Sequence, residues 1–354
     1  MDDTVLFSSK RQGIQWKLRR LMNYCTQYDM KVNAKKTKFM VVNSEDREPL
    51  ICNEMRIGFC EKYMYLGNTI IACSLQEQIV SHLKENMKQV HKFRAFLSKN
   101  SEAPLYVKMK VWSCMLLSSL FYGAETWWTS KLLKVNNIYL ATLRDCLGVR
   151  TTICNDVIYT EVGLASASAL VKDKQLKFLA KVKSRSNYEG SYLQKLISKS
   201  CQSQSPMGKY LEKLEREDQD PIKAELESIK QKISNDQDST RRRTYKQLNV
   251  RLESPEVYHN QIFIPEHHRI AFTRFRVGSH RFRIETGRWS RTPRERRLCP
   301  CGEVQDEVHV VKNCDLLRDV RARYSDINYD EISETMNRGN IPYLSKYIMI
   351  SQKE

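Results

Sequence analysis

Apolar positions change their spacing along this chain, and each change marks a different kind of element. Thr4–Ser8 is a short apolar run that reads as a strand. Behind Ser9, a residue able to cap a helix, Ile14, Leu18, Leu21, Met22 and Cys25 share one helical face. A turn around Asp29 and a basic loop at 31–36 lead to a second strand, Thr37–Val42. After polar residues 43–50, two further short strands are predicted near Ile51–Phe59 and Tyr63–Ile71, with Gly67 as a bend. From about residue 76 the period is helical: Ile79, Leu83, Met87, Val90 and Phe93 follow one face. Pro104 can open a helix through Trp112, Met115 and Leu116 towards Tyr122-Gly123. A third spans 131–147 and stops at Gly148, and others are predicted at 155–163 and 167–185, giving a helical bundle. Residues 186–256 are polar and charged with both signs, and read as solvated helices and linkers.

The predicted fold is thus α+β, mainly α. Its segments are a strand-rich part at 1–74, a helical bundle at 75–185, a charged helical connector at 186–260, an arginine- and aromatic-rich segment at 261–325 and a tail at 326–354. No internal repeat is evident.

Charge adds a partner to this picture. Lys and Arg number 59 against 41 Asp and Glu, a formal net charge of +18. Such a surplus favours a polyanion, because each neutralised phosphate releases a counterion. Nucleic acid leads, an anionic membrane surface follows, and a merely solvated basic surface is the plain alternative. The N-terminus lacks the pattern of a signal peptide, and the longest apolar stretch, Val111–Tyr122, is too short to span a bilayer. The expected location is therefore intracellular, in nucleus or cytoplasm, with no membrane partner. Eleven cysteines then read as reduced thiols or metal ligands. Arg241-Arg242-Arg243 could serve nuclear targeting, or simply be solvated.

Three constellations carry candidate chemistry. Cys299, Cys301, His309 and Cys314 supply three thiols and an imidazole, enough for a closed tetrahedral zinc site. The first pair is separated by one residue, where zinc knuckles usually leave two, and Pro300 stiffens that loop; packing of a small helical hairpin is the alternative use of these thiols. Ten arginines lie between Arg269 and Arg297, interleaved with Phe272, Phe275, Phe282 and Trp289. Guanidinium groups pair with phosphates and aromatic rings stack on bases, so Arg274, Arg276, Arg281, Arg283, Arg288 and Trp289 are candidate nucleic-acid contacts. The phenylalanines could equally face a core. Third, the adjacent carboxylates Asp2 and Asp3 could hold divalent metal of the kind used in nucleotide joining, and Lys36 could neutralise or protonate a departing pyrophosphate.

Taken in order, these pieces resemble the reverse transcriptase of LINE-type (non-LTR) retrotransposons. Asp2-Asp3-Thr4-Val5-Leu6-Phe7-Ser8 is similar to the end of the palm's aromatic-x-Asp-Asp box, with Met1 at the variable position and the aromatic residue absent. Asn33-Ala34-Lys35-Lys36-Thr37 matches the Asn-x-x-Lys-Thr box, and Tyr65-Leu66-Gly67 the hairpin that grips the primer end. Tyr122–Trp127, Leu143–Val149 and Asp156–Tyr159 resemble the helical thumb. Glu285–Trp289, Arg297–Cys299, Asp306–His309 and Cys314 resemble the terminal cysteine/histidine segment. The resemblance implies a partial palm, a thumb and a zinc-knuckle tail. It also implies catalytic roles for Asp2, Asp3 and Lys36, Mg bound by the two aspartates, Zn in the tail, primer contact by Tyr65 and Gly67, and RNA and DNA as partners. In the family, fingers, most of the palm and a further catalytic carboxylate precede this region. The expectation is a chain catalytically incompetent alone that keeps nucleic-acid binding. A start upstream of Met1, making this the rear of an active enzyme, is one alternative; a helical protein-interaction module with a basic tail is another.

Overall fold

The structure is a computed structural model that describes residues 4–42, 45–52, 55–72, 74–184, 192–216, 220–236, 240–259 and 264–323. It is mainly helical with a few short strands, and divides into two compact units, Met1–Asn86 and Met87–Glu354.

In the first unit, helix α1 (Arg11–Gln27) lays Ile14, Leu18 and Met22 against Leu50, Cys52 and Ile57, joined by Leu6, Phe39 and Met55. The Ser9 cap predicted for this helix is absent: the helix starts behind Lys10, and Ser8 Oγ accepts from the Lys10 amide at 3.3 Å. The two strands expected at 4–8 and 37–42 do not form. Residues 4–8 pair with no strand among the described residues, and 37–42 makes one parallel bridge, Phe39 to Phe59. A run of apolar residues becomes a strand only where a neighbour completes its backbone hydrogen bonds. Conversely, each of the two strands expected at 51–59 and 63–71 is a hairpin. β1 (Leu50–Cys52) pairs with β2 (Met55–Ile57), and β3 (Lys62–Tyr65) with β4 (Asn68–Ile71). Leu66 and Gly67 turn the second hairpin with φ of 48° and 78°, the positive values that suit a two-residue turn to the twist of its strands.

The predicted helices of the second unit are present. The unit takes in the later part of α2 (Leu75–Lys99), whose Val90 and Phe93 are buried. α3 (Leu105–Val111) starts at Pro104 and continues through a π-helical stretch, Trp112–Leu117, into α4 (Ser118–Leu120). α5 (Leu133–Leu147) ends at Gly148, whose φ of 70° suits glycine and whose Cα lies so near Ile270 that a Cβ would meet it at 3.3 Å. α6 (Asn155–Val162) and α7 (Ala167–Ser184) follow.

The charged connector departs from expectation. α8 (Tyr192–Gln202), α9 (Pro206–Arg216), α10 (Pro221–Asn235) and α11 (Thr240–Leu248) are helical, but the last three are not simply solvated. Leu211 and Leu214 pack with Leu179, and Ile229, Ile233, Tyr245 and Leu248 are buried. Apolar residues three or four apart within a charged sequence give each helix one narrow packed stripe. Arg242 of the basic triplet is held by Asp156 and Asp236, both at 2.6 Å.

A buried polar network joins these helices to the arginine-rich segment. Glu161 of α6 is fully buried and accepts from Arg276 at 2.8 and 3.1 Å, from the Tyr245 hydroxyl at 2.9 Å and from the Tyr258 hydroxyl at 2.8 Å. Arg276 ends α12 (Glu266–Arg276). Burial works against its charge, but Glu161 outweighs this and raises its pKa. Burial and then the Glu161 charge push both tyrosines well above their ordinary values, which keeps them protonated donors. Replacing Arg276 by Ala leaves a buried carboxylate without its cation, and should destabilise the protein by about 3–5 kcal/mol. Guanidinium unfolding should show this, with Glu161→Ala/Arg276→Ala costing clearly less than the sum of the two single changes; a loss under about 1 kcal/mol would show that water already screens the pair.

Candidate metal centre and nucleic-acid face

The cysteine cluster is assembled by three tight turns. Leu298 and Val304 form an antiparallel bridge, and between them the Cys299 amide donates to Glu303 O at 2.6 Å and the Gly302 amide to Cys299 O at 2.9 Å. Pro300 occupies the second position of that turn, where its fixed φ fits, and Gly302 has a φ of 99° that a side chain would resist. One intervening residue is therefore enough to bring both thiols to the same side. His309 opens a π-helical stretch, His309–Asn313, whose first amide is capped by Asp306 Oδ1 at 2.9 Å. The Cys314 amide returns to His309 O at 2.8 Å, which draws Cys314 back to the imidazole.

The four ligand atoms lie within 4.8 Å of one another. Cys299 and Cys314 Sγ are 3.7 Å apart, Cys301 and Cys314 Sγ 4.0 Å, and Cys301 Sγ lies 3.2 Å from His309 Nε2. A tetrahedral zinc with bonds of about 2.3 Å to sulfur requires edges of about 3.8 Å, close to the two sulfur–sulfur distances, so these residues could hold a metal such as zinc. Burial and then hydrogen bonding with Cys299 push the Cys314 thiol up to about 12; a bound cation would hold it as thiolate.

This centre is fastened to the arginine-rich segment. Buried His280 donates through Nε2 to Glu307 at 2.8 Å while its Nδ1 accepts from the Phe282 amide at 3.3 Å. Burial raises the Glu307 carboxyl, but the His280 hydrogen bond and charge outweigh it and hold the carboxyl below its ordinary value. Gln305 accepts from the backbone of Arg283 and Ile284, at 2.8 and 3.2 Å, at the start of α13 (Arg283–Trp289).

The arginines sort into two groups. Arg276, expected on a nucleic-acid face, is instead wholly interior, because it follows Phe272 by one helical turn on the packed side of α12. Buried Arg269 donates to the carbonyls of Cys146 and Leu147 and pairs with Glu266. Arg274 donates to Gly148 O at 2.7 Å; burial, then its neighbours Arg269, Arg281 and Arg150, depress its pKa. Arg288 pairs with Glu285, which also holds Arg150 at 3.3 Å. Arg281 and Arg283 are different. Like Arg291 and Arg296, both are exposed with no guanidinium partner among the described residues, but these two flank a buried phenylalanine. Extended backbone at Phe282 (φ −60°, ψ 155°) turns its ring into a cluster with Phe275 and His280 and sends the flanking arginines outward. Trp289 is 57% exposed, with the Arg150 guanidinium 4.7 Å above its ring.

The remaining candidates belong to the first unit. Asp2 and Asp3 lie outside the described residues. Lys36 is exposed, in a turn where its amide donates to Asn33 Oδ1 at 3.1 Å. The Tyr63 hydroxyl donates to Lys36 O at 3.2 Å, so the hairpin bearing Tyr65 and Gly67 meets the Asn33–Thr37 turn. The buried Glu161 and the His280–Glu307 pair escaped the sequence reading. Glu161 had one signal: it follows Val157 and Ile158 by four and three residues, on an apolar face.

No family model, curated protein or solved structure matches the chain. No helix among the described residues is long and apolar enough to cross a membrane.

Native mass spectrometry of the whole chain is expected to show one divalent metal ion. Cys314→Ala should abolish that mass and lower the melting temperature, whereas Cys201→Ala, outside the cluster, should retain the metal. A wild-type mass equal to the polypeptide alone would remove the assignment.

Proposed function

We propose that this chain binds single-stranded RNA or DNA through the segment that carries its cysteine/histidine centre, that zinc occupies that centre, and that the chain corresponds to the partial palm, thumb and tail of a LINE-type reverse transcriptase, catalytically incompetent alone. The observation that carries the binding reading is the pair Arg281 and Arg283: two exposed cations with no carboxylate partner among the described residues, positioned by buried Phe282 between them and by Gln305. Exposed Trp289 adds a ring on which a base can stack. A formal charge of +18 supplies the long-range attraction. The zinc reading rests on the donor set and its edges. The descent rests on the order of the sequence boxes, together with the contact between the Asn33–Thr37 turn and the Tyr63 hairpin.

Filter binding to a single-stranded RNA across a salt series tests the function. Affinity should fall as salt rises, and Arg281→Ala/Arg283→Ala should weaken binding across unrelated sequences while reducing the slope by about 0.7 per lost phosphate contact. Binding that is indifferent to salt would point to a protein partner and sink the proposal.

A further inference from the structure

Arg281 and Arg283 also line a cavity of about 280 Å³. Its apolar lining includes Phe282, Val310 and Leu317, and exposed Leu316 forms part of its rim. Cys299 and Cys314 contribute to the wall, so the cavity shares its frame with the metal centre. Gln305, also in the lining, uses its Oε1 to accept from the Arg283 amide; its NH₂ group has no partner among the described residues.

We infer that this cavity is a nucleotide subsite: it takes one unstacked base, with the adjoining phosphate held by Arg281 and Arg283. The inference rests on the nucleic-acid reading and specifies its ligand. Three features call for different parts of one ligand. Within a mixed lining, Phe282, Val310, Leu316 and Leu317 offer an apolar wall to a planar ring, and the Gln305 NH₂ offers a donor to a ring nitrogen or carbonyl. The two guanidiniums in the lining, without partners among the described residues, match a phosphate, which they can grip with directed bonds. The volume lies just below the range of about 300–1,000 Å³ typical of small-molecule sites, so a single nucleotide suits it better than a larger ligand. Stacking on Trp289 would tolerate any base, whereas an open recess with a placed donor would discriminate among them.

Equilibrium dialysis of the full chain against adenosine 5′-monophosphate, adenosine and inorganic phosphate tests this. The monophosphate should bind saturably at one per chain, and each of the other two should bind at least about tenfold more weakly, since each lacks a group worth a charge-assisted bond or a buried ring. A single-stranded oligonucleotide should displace the monophosphate, which separates a strand subsite from a site for free nucleotide. Arg281→Ala/Arg283→Ala should reduce monophosphate binding by at least about tenfold with metal content unchanged. If that variant loses its metal, Leu316→Asp, which adds a negative charge to the exposed part of the lining and changes no ligand side chain, should reduce binding instead. Equal binding by wild type and the metal-retaining variants, or a monophosphate bound no better than phosphate, overturns the subsite. If the oligonucleotide still binds in a salt-dependent way, the function proposed above stands without it; if neither ligand binds, both fall.

Discussion

The second unit depends on a carboxylate that water does not reach. An isolated buried Glu161 would be far too costly to keep ionised, and its several-kcal/mol penalty is offset only because four donor contacts converge on its two oxygens. Those donors come from three places: Tyr245 on α11, Tyr258 in the turn before α12, and Arg276 at the end of α12. Satisfying one charge therefore fixes the position of three segments against α6. The network continues: the Tyr258 hydroxyl lies 2.6 Å from Thr273 Oγ1, which accepts from Arg269, which pairs with Glu266, which holds Lys108 of α3 at 2.7 Å. Arg269 and Arg274 meanwhile donate to the last carbonyls of α5, groups that a helix cannot satisfy itself.

From this anchor the functional segment inherits its rigidity. α12 is held along its length, and the Arg276–Phe282 connection begins at its most constrained residue. Phe275, His280 and Phe282 pack together just beyond it, and His280 passes the constraint to Glu307, two residues from the ligand His309. A metal held by Cys299, Cys301, His309 and Cys314 would complete a stretch that has little apolar core: Cys299, Cys314, Val310, Val311 and Leu317 are buried, but the turns between them are short and polar. The anchor and the cysteine/histidine cluster flank the segment that presents Arg281 and Arg283.

The helices were legible in the sequence because their apolar spacing is itself the cause of their packing. Val90 and Phe93 in α2, or the stop at Gly148, follow from residues within a few positions. The failures share a cause. Residues 4–8 and 37–42 have strand-like composition, but a strand is made by its partner, and composition does not name one. The 51–59 run holds two paired strands, β1 and β2, where alternation suggests one, whereas the bend at Gly67 announced the fold-back of 63–71. The metal site was readable as a set of residues, yet the tight Cys299–Cys301 spacing looked like an obstacle until Pro300 was seen in its turn. Arg276 was misread because a charged side chain announces solvent exposure unless its counter-charge, here 115 positions away, is known.

That misreading bears on how charge should be used as evidence for a partner. Net charge governs attraction at distance, where paired and unpaired groups sum alike, and a surplus of +18 survives every internal ion pair because each pair cancels. Contact is different. A guanidinium already bonded to a carboxylate or a carbonyl must break that bond to reach a phosphate, so Arg269, Arg274, Arg276 and Arg288 contribute field but little grip. Arg281 and Arg283 contribute both, and they do so because buried Phe282 separates them, with extended backbone at its position. The binding capacity of an arginine-rich tract is thus set less by its arginines than by the apolar residues that decide which of them remain unpaired.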